Sequence, residues 1–134
     1  MIDKDEYPAF ELDRATDWME EQCYVDGTEA WYVETLWRHA KKLPSYEVPL
    51  IALDTDLQPW DEVGDDFLEF CAHCRLVMDA DMDYPIILTP KGAIADGRHR
   101  LAKAILNGDS TIMVKRLSWM PEPDLVFDEE GNTL

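Results

Sequence analysis

Two rhythms of apolar residues run along this chain, one of three to four residues and one of two, and the changes between them divide it into elements. Over 12–23, Leu12, Ala15, Met19 and Gln22 or Cys23 fall on one helical face with Asp and Glu on the other, which predicts an amphipathic helix. Asp26-Gly27 reads as a turn, and Thr28 as the N-cap of a second helix to about 42. Val33, Leu36, Trp37, Ala40 and Leu43 form its apolar stripe, Lys41 and Lys42 suit its C-terminal dipole, and Pro44 stops it. Trp31 and Trp37 read as core at helical spacing, a binding surface being the alternative. These two helices predict an N-terminal helical hairpin over 1–44.

Further on, EVPLIAL over 47–53 predicts a strand, followed by a connection ending in Gln58-Pro59-Trp60. A third helix is expected over 61–78, with Val63, Phe67, Phe70, Cys71, Cys74 and Val77 inward and Asp65 and Asp66 in its first turn. After the acidic linker 79–83, residues 84–89 read as a buried strand, Pro90-Lys91-Gly92 as a hairpin turn and 93–95 as the return strand. A helix runs from Arg98 to the C-cap pair Asn107-Gly108, and TIMVKRL over 111–117 is the last strand. Residues 118–134 are Pro-rich and acidic, either a surface-hugging tail anchored by Trp119, Leu125, Val126 and Phe127 or partly disordered. The expected order is therefore ααβαββαβ and a tail. That is an α+β single domain with a small mixed sheet flanked by helices, its core over 45–117.

Charge changes the picture most. Twelve Lys and Arg stand against 29 Asp and Glu, a net charge of −17. Such a chain repels duplex DNA through its phosphates, which disfavours direct DNA binding, a nuclease role included; the same charge can imitate DNA toward a basic partner. No apolar run of about 18 residues is present, so no membrane span is expected. The start MIDKDEYPAF is polar and acidic, unlike a secretory or transit peptide, and three Cys make no disulfide framework. A cytoplasmic location is the expectation. Between 86 and 117 the balance inverts: Lys91, Arg98, Arg100, Lys103, Lys115 and Arg116 face only Asp96 and Asp109. A positive island in a negative protein points to a small anionic ligand.

At the centre of that island lies Asp96-Gly97-Arg98-His99-Arg100, where an apolar strand runs into a helix. Gly97 suits the corner and leaves no Cβ in a ligand's way, while the unpaired first amides of the helix gather beside two guanidiniums and an imidazole. These are the parts of a phosphate site; the plainer reading is that Arg98 and Lys103 line a solvated helix face. Cys71-x-x-Cys74, with His73 between, has no second Cys pair and reads as core thiols, so no zinc is expected.

This strand–box–helix–Asn-Gly–strand order, with VPLIALD and QPW before it, resembles the ParB/sulfiredoxin-like superfamily over roughly 48–117. The box is nearest to the Asp-Gly-His-His-Arg of its free serine kinases. The resemblance implies a nucleoside di- or triphosphate held at Gly97, Arg98, His99 and Arg100, with phosphoryl transfer or hydrolysis assisted by Mg²⁺. Arg98 stands where sulfiredoxins carry the catalytic Cys, which excludes sulfinate repair. Trp60 replaces the Arg of the partition proteins' Gln-Pro-Arg, and no helix-turn-helix follows.

Each candidate has a functional and a structural reading. Arg100 contacts phosphate or pairs with Asp96 or the acidic linker. His99 donates to phosphate or positions a nucleophile, or it is a buried imidazole bonded to a carbonyl. Asp96 coordinates Mg²⁺ or braces the turn. Asp61 and Glu62 are candidate catalytic bases, or simply acids suited to a helix N-terminus. The competing function is a non-catalytic, DNA-mimicking interaction protein of the kind mobile elements encode, binding a basic or DNA-binding partner; the N-terminal helices are also a candidate homodimer contact.

Overall fold

The computed structural model describes residues 23–56 and 66–134 of the chain. Its elements are β1 (Cys23–Asp26), β2 (Glu29–Tyr32), α1 (Val33–Ala40), β3 (Tyr46–Pro49), a 3-10 turn (Leu50–Ala52), α2 (Phe67–Asp79), β4 (Ile86–Leu88), β5 (Ile94–Asp96), α3 (Arg98–Leu106), β6 (Thr111–Arg116) and β7 (Leu125–Val126). The fold is α+β. A mixed four-stranded sheet has the order β3-β6-β4-β5, antiparallel except for the β6–β4 pair, and a second sheet has the order β1-β2-β7.

The central strands are apolar on both sides because both faces of their sheet are covered. Successive strand residues point to opposite faces. Accordingly, Ile86, Leu88 and Ile94 join Leu101 and Ala104 of α3 with Ile112 and Val114 of β6. Ile87 and Ala95 instead join Trp31, Leu36, Ala40 and Leu117 beneath α1 and the smaller sheet. The expected β4 hairpin, return strand, α3 and β6 are all present, and α3 ends at Asn107 and Gly108 as expected.

Three expected elements differ. The helix expected from Thr28 begins only at Val33, because Gly27-Thr28 closes a β-hairpin and Thr28 is a turn residue rather than an N-cap. Gly27, at φ +61°, supplies the positive φ that a two-residue hairpin connection needs. Cys23 accordingly opens a strand, which replaces the helical hairpin in this part of the chain; the rest of the helix expected over 12–23 lies outside the described residues. The strand expected over 47–53 stops at Pro49 and turns into the 3-10 turn, since Pro cannot donate to a ladder.

Helix α2 also presents a different face. Phe67, Phe70 and Cys74 are exposed and Cys71 is half-buried, whereas Ala72, His73 and Val77 are buried. The buried face carries Ala72 and Val77 together with His73, which reaches His99 of α3. The two thiols are not core residues as expected. Asp66 is the N-cap, its carboxylate accepting from the amides of Leu68 and Glu69.

The tail docks. β7 pairs with β2, the Trp31 indole donates to Pro121 O at 2.7 Å, and Asp124 accepts from the Tyr32 amide. Of the expected anchors, Leu125 and Val126 form the strand, while Trp119 stays 63% exposed with its edge against His39.

Gly97 fixes how α3 sits on the sheet. It adopts φ +111°, and a Cβ there would meet Ile86 Cγ2 at 2.5 Å and Ile86 Cβ at 2.9 Å. Gly97→Ala is expected to cost about 2–4 kcal/mol, since backbone strain and overpacking add. Gly27→Ala, with positive φ but open space, should cost about 1–2 kcal/mol. Urea unfolding of both variants checks the ranking; equal losses would show that the Ile86 contact is unimportant.

Candidate functional site

The site is built on the β5–α3 corner. Left-handed Gly97 starts α3, and its carbonyl accepts from the Leu101 amide at 2.9 Å. No side chain caps the helix, so the first amides of α3 have no side-chain acceptor at the N-cap. The space a Gly97 Cβ would occupy is filled by Ile86, so this glycine serves helix–sheet packing rather than clearance for a ligand.

Asp96, at the end of β5, ties three elements together. Its Oδ2 accepts from the Trp37 indole of α1 at 2.6 Å and from Arg100 Nη2 of α3 at 3.1 Å. Both ion-pair side chains are 17% exposed. The Arg100 guanidinium also lies over the Trp37 ring, 5.6 Å from its centre, and its Nε is buried without a hydrogen-bond partner. Tyr84 meets the Trp37 ring edge-on. Arg100 is therefore engaged in the ion pair that the structural reading anticipated, and Asp96 braces the corner with the oxygen that a Mg²⁺ ion would compete for.

His99, in the first turn of α3, faces His73 of α2, with His99 Nε2 and His73 Nδ1 2.9 Å apart. The ring centres are 5.2 Å apart and the planes 12° apart. A centre-to-centre distance that large for nitrogens this close places both centres and both nitrogens nearly on one line. The pair is thus an in-plane N–H···N hydrogen bond, not a face-to-face stack. Burial and the adjacent His73 push the His99 pKa down to about 4 against a partial opposing pull from Asp96, so the imidazole is neutral at pH 7.

The positive island has a structural explanation. Lys103 donates to Met78 O and Ala80 O at the C-terminus of α2. Lys115 donates to Ala40 O and Lys41 O at the C-terminus of α1, and Arg116 holds Pro90 O in the β4–β5 turn. These three cations satisfy carbonyls that helix and turn ends leave unpaired. Arg98 is exposed at the corner and close enough to Tyr24 of β1 to act on its ionisation.

The structure thus brings Asp96, Gly97, Arg98, His99 and Arg100 together. Asp61, Glu62 and the Gln58-Pro59-Trp60 element lie outside the described residues. Among the described residues no group of three or more His, Cys, Asp or Glu is arranged to hold a metal. Two participants escaped the sequence reading. His73 was weighed only as the residue between Cys71 and Cys74, because the apolar count favoured the opposite face of α2. Trp37 was visible as a stripe residue, but its indole's polar partner lies 59 positions away.

The His99 shift gives a pH dependence. Its folded pKa of about 4 lies below the ordinary 6.5, so the unfolded chain binds more protons between those values. Stability is therefore complete above pH 6.5, falls as pH drops through that window and levels off below about 4. His99→Gln should flatten the slope between pH 6.5 and 5 in urea midpoints; an unchanged slope would place the titration elsewhere.

No family model, curated protein or solved structure matches the chain.

Proposed function

We propose that the β5–α3 corner binds the phosphate of a nucleotide or another phosphorylated small molecule. The observation that carries this reading is a helix opening on a left-handed glycine with no side-chain cap, beside exposed Arg98 and the neutral imidazole of His99. The amides and the helix dipole attract anionic oxygen, Arg98 adds charge and His99 can donate one hydrogen bond. Arg100 is paired with Asp96, while Arg98 is exposed at the corner beside the start of α3. The resemblance to the ParB/sulfiredoxin-like box supports a nucleoside di- or triphosphate with Mg²⁺. Phosphoryl transfer or hydrolysis would further need a carboxylate base, the role expected of Asp61 or Glu62.

A thermal-shift panel of inorganic phosphate and nucleoside mono-, di- and triphosphates, with and without Mg²⁺, tests this. At one hundred times Kd a ligand adds about 2.7 kcal/mol, which raises the Tm by roughly 5–15 °C. Arg98→Ala should remove most of that rise, measured against the variant's own unliganded Tm. Arg100→Ala should lower the unliganded Tm. No rise with any anion at millimolar concentration overturns the reading.

A second reading rests on a separate observation. Residues 23–32 and 117–134, which build the β1-β2-β7 sheet and its tail, carry Asp26, Glu29, Glu122, Asp124, Asp128, Glu129 and Glu130 and no Lys, Arg or His. None of these carboxylates takes part in the Arg100–Asp96 ion pair. That surface suits a basic, DNA-binding protein partner. Affinity for such a partner should fall several-fold between 50 and 200 mM salt and weaken on neutralising Glu122, Glu129 and Glu130; salt-independent binding would contradict it.

A further inference from the structure

Helix α2 meets the rest of the chain along one side and leaves an apolar side exposed. Ala72, His73 and Val77 face inward. At about 100° per residue, Phe67, Phe70, Cys71, Cys74 and Met78 fall together on the opposite side. Phe67 is 73% exposed, Phe70 49% and Met78 71%, while Cys74 is exposed and Cys71 half-buried. Neither core cluster includes any of the five. The rings of Phe67 and Phe70 lie with their centres 6.3 Å apart, so the N-terminal end of this stripe is one aromatic surface.

Single exposed apolar side chains are ordinary, but a contiguous run is not, and the solvent side of a helix ordinarily carries polar residues. Positions 67, 70, 71, 74 and 78 repeat at the three- and four-residue spacing by which one helix packs on another. The run covers about three turns, roughly 16 Å of helix. A long, narrow surface of this kind matches the side of a second helix.

Charge decides which helix. Asp66 stands at the N-terminal end of the stripe, and Asp79, Asp81 and Asp83 stand at and beyond its C-terminal end, all exposed. Arg75, also exposed, lies between them, and the Lys103 ammonium is engaged with Met78 O and Ala80 O. Both ends being acidic, a second copy of this chain would set carboxylate against carboxylate whichever way its α2 ran. An anionic membrane is repelled for the same reason.

We propose that the outward stripe of α2 is a docking surface for an amphipathic α-helix of another protein, whose apolar face packs on Phe67, Phe70 and Met78 and whose Lys or Arg residues meet the acidic ends. Aromatic rings supply large contact area, and the thioether adapts to the partner's shape. Burial of the stripe supplies the affinity, and the carboxylates set orientation and association rate. The inference stands on α2 and is independent of the phosphate reading and of the β1-β2-β7 surface.

Fluorescence anisotropy with the intact chain at about 150 mM salt tests this. The probe is a labelled peptide of about 18 leucines and lysines, its leucines at i, i+3, i+4 and i+7. The controls are a scrambled peptide of the same composition and a version with glutamate in place of lysine. The stripe peptide should bind with saturation, about tenfold or more tighter than either control. Phe67→Ser and Phe70→Ser, at exposed positions where substitution leaves the fold intact, should each weaken it about tenfold. Leu106→Ser, which removes a comparably exposed side chain from α3, should change it less than about twofold. Asp79→Asn, Asp81→Asn and Asp83→Asn together should weaken binding severalfold and flatten its salt dependence. Equal affinity of the wild type for the stripe and scrambled peptides overturns the inference without recourse to any variant. Undiminished binding by Phe67→Ser and Phe70→Ser also overturns it. So does a dimer of the chain in sedimentation that both serine variants dissolve, because the occupant of the stripe is then a second copy.

Discussion

The contact between Gly97 and Ile86 sets the geometry on which everything else in this molecule depends. A missing side chain lets the start of α3 come within van der Waals reach of β4, and a positive φ turns the chain from strand to helix in one residue. Once α3 is fixed there, its first turn can hold His99 against α2 and Arg100 against the end of β5. The packing that stabilises the core and the geometry that builds the site are thus the same contact. A larger residue at position 97 would displace both.

Around that corner the polar groups form a connected arrangement. Asp96 gathers the indole of Trp37 and the guanidinium of Arg100 onto one oxygen, fastening α1 and α3 to β5. His73 and His99 fasten α2 to α3 through a shared proton. In a low-dielectric setting such bonds are strong when satisfied and costly when broken, which makes the corner rigid. On the proposed phosphate reading such rigidity would help, because groups already in place would lose little entropy on binding an anion.

How much of this the sequence revealed depends on how local the cause was. β4, its hairpin turn, β5, α3 and β6 were legible because Pro90, Gly92, Gly97 and the Asn107-Gly108 pair punctuate unbroken apolar runs. The β1–β2 hairpin was not, since Trp31 and Trp37 stand at helical spacing and Thr28 resembles an N-cap, whereas Gly27-Thr28 reverses the chain and residues 29–32 form a strand. The exposed face of α2 holds Phe67, Phe70 and Cys74, so counting apolar residues pointed the wrong way; the buried face holds His73, whose partner His99 lies 26 positions further on. The excess of bases between 86 and 117 was read as a ligand's signature, yet Lys103, Lys115 and Arg116 answer carbonyls contributed by distant segments. The Asp96 pairing with Arg100, four residues apart, was within reach of the sequence and was anticipated as one of two readings.

Backbone amide resonances of α3 give the most direct test of the central claim that this helix start receives anionic oxygen. Titrating ¹⁵N-labelled protein with inorganic phosphate and then with a nucleoside triphosphate should move the amides of Arg98, His99 and Arg100 first and furthest, with saturation. Unmoved amides at those positions, or shifts spread along Lys91, Lys103 and Lys115 instead, would contradict it.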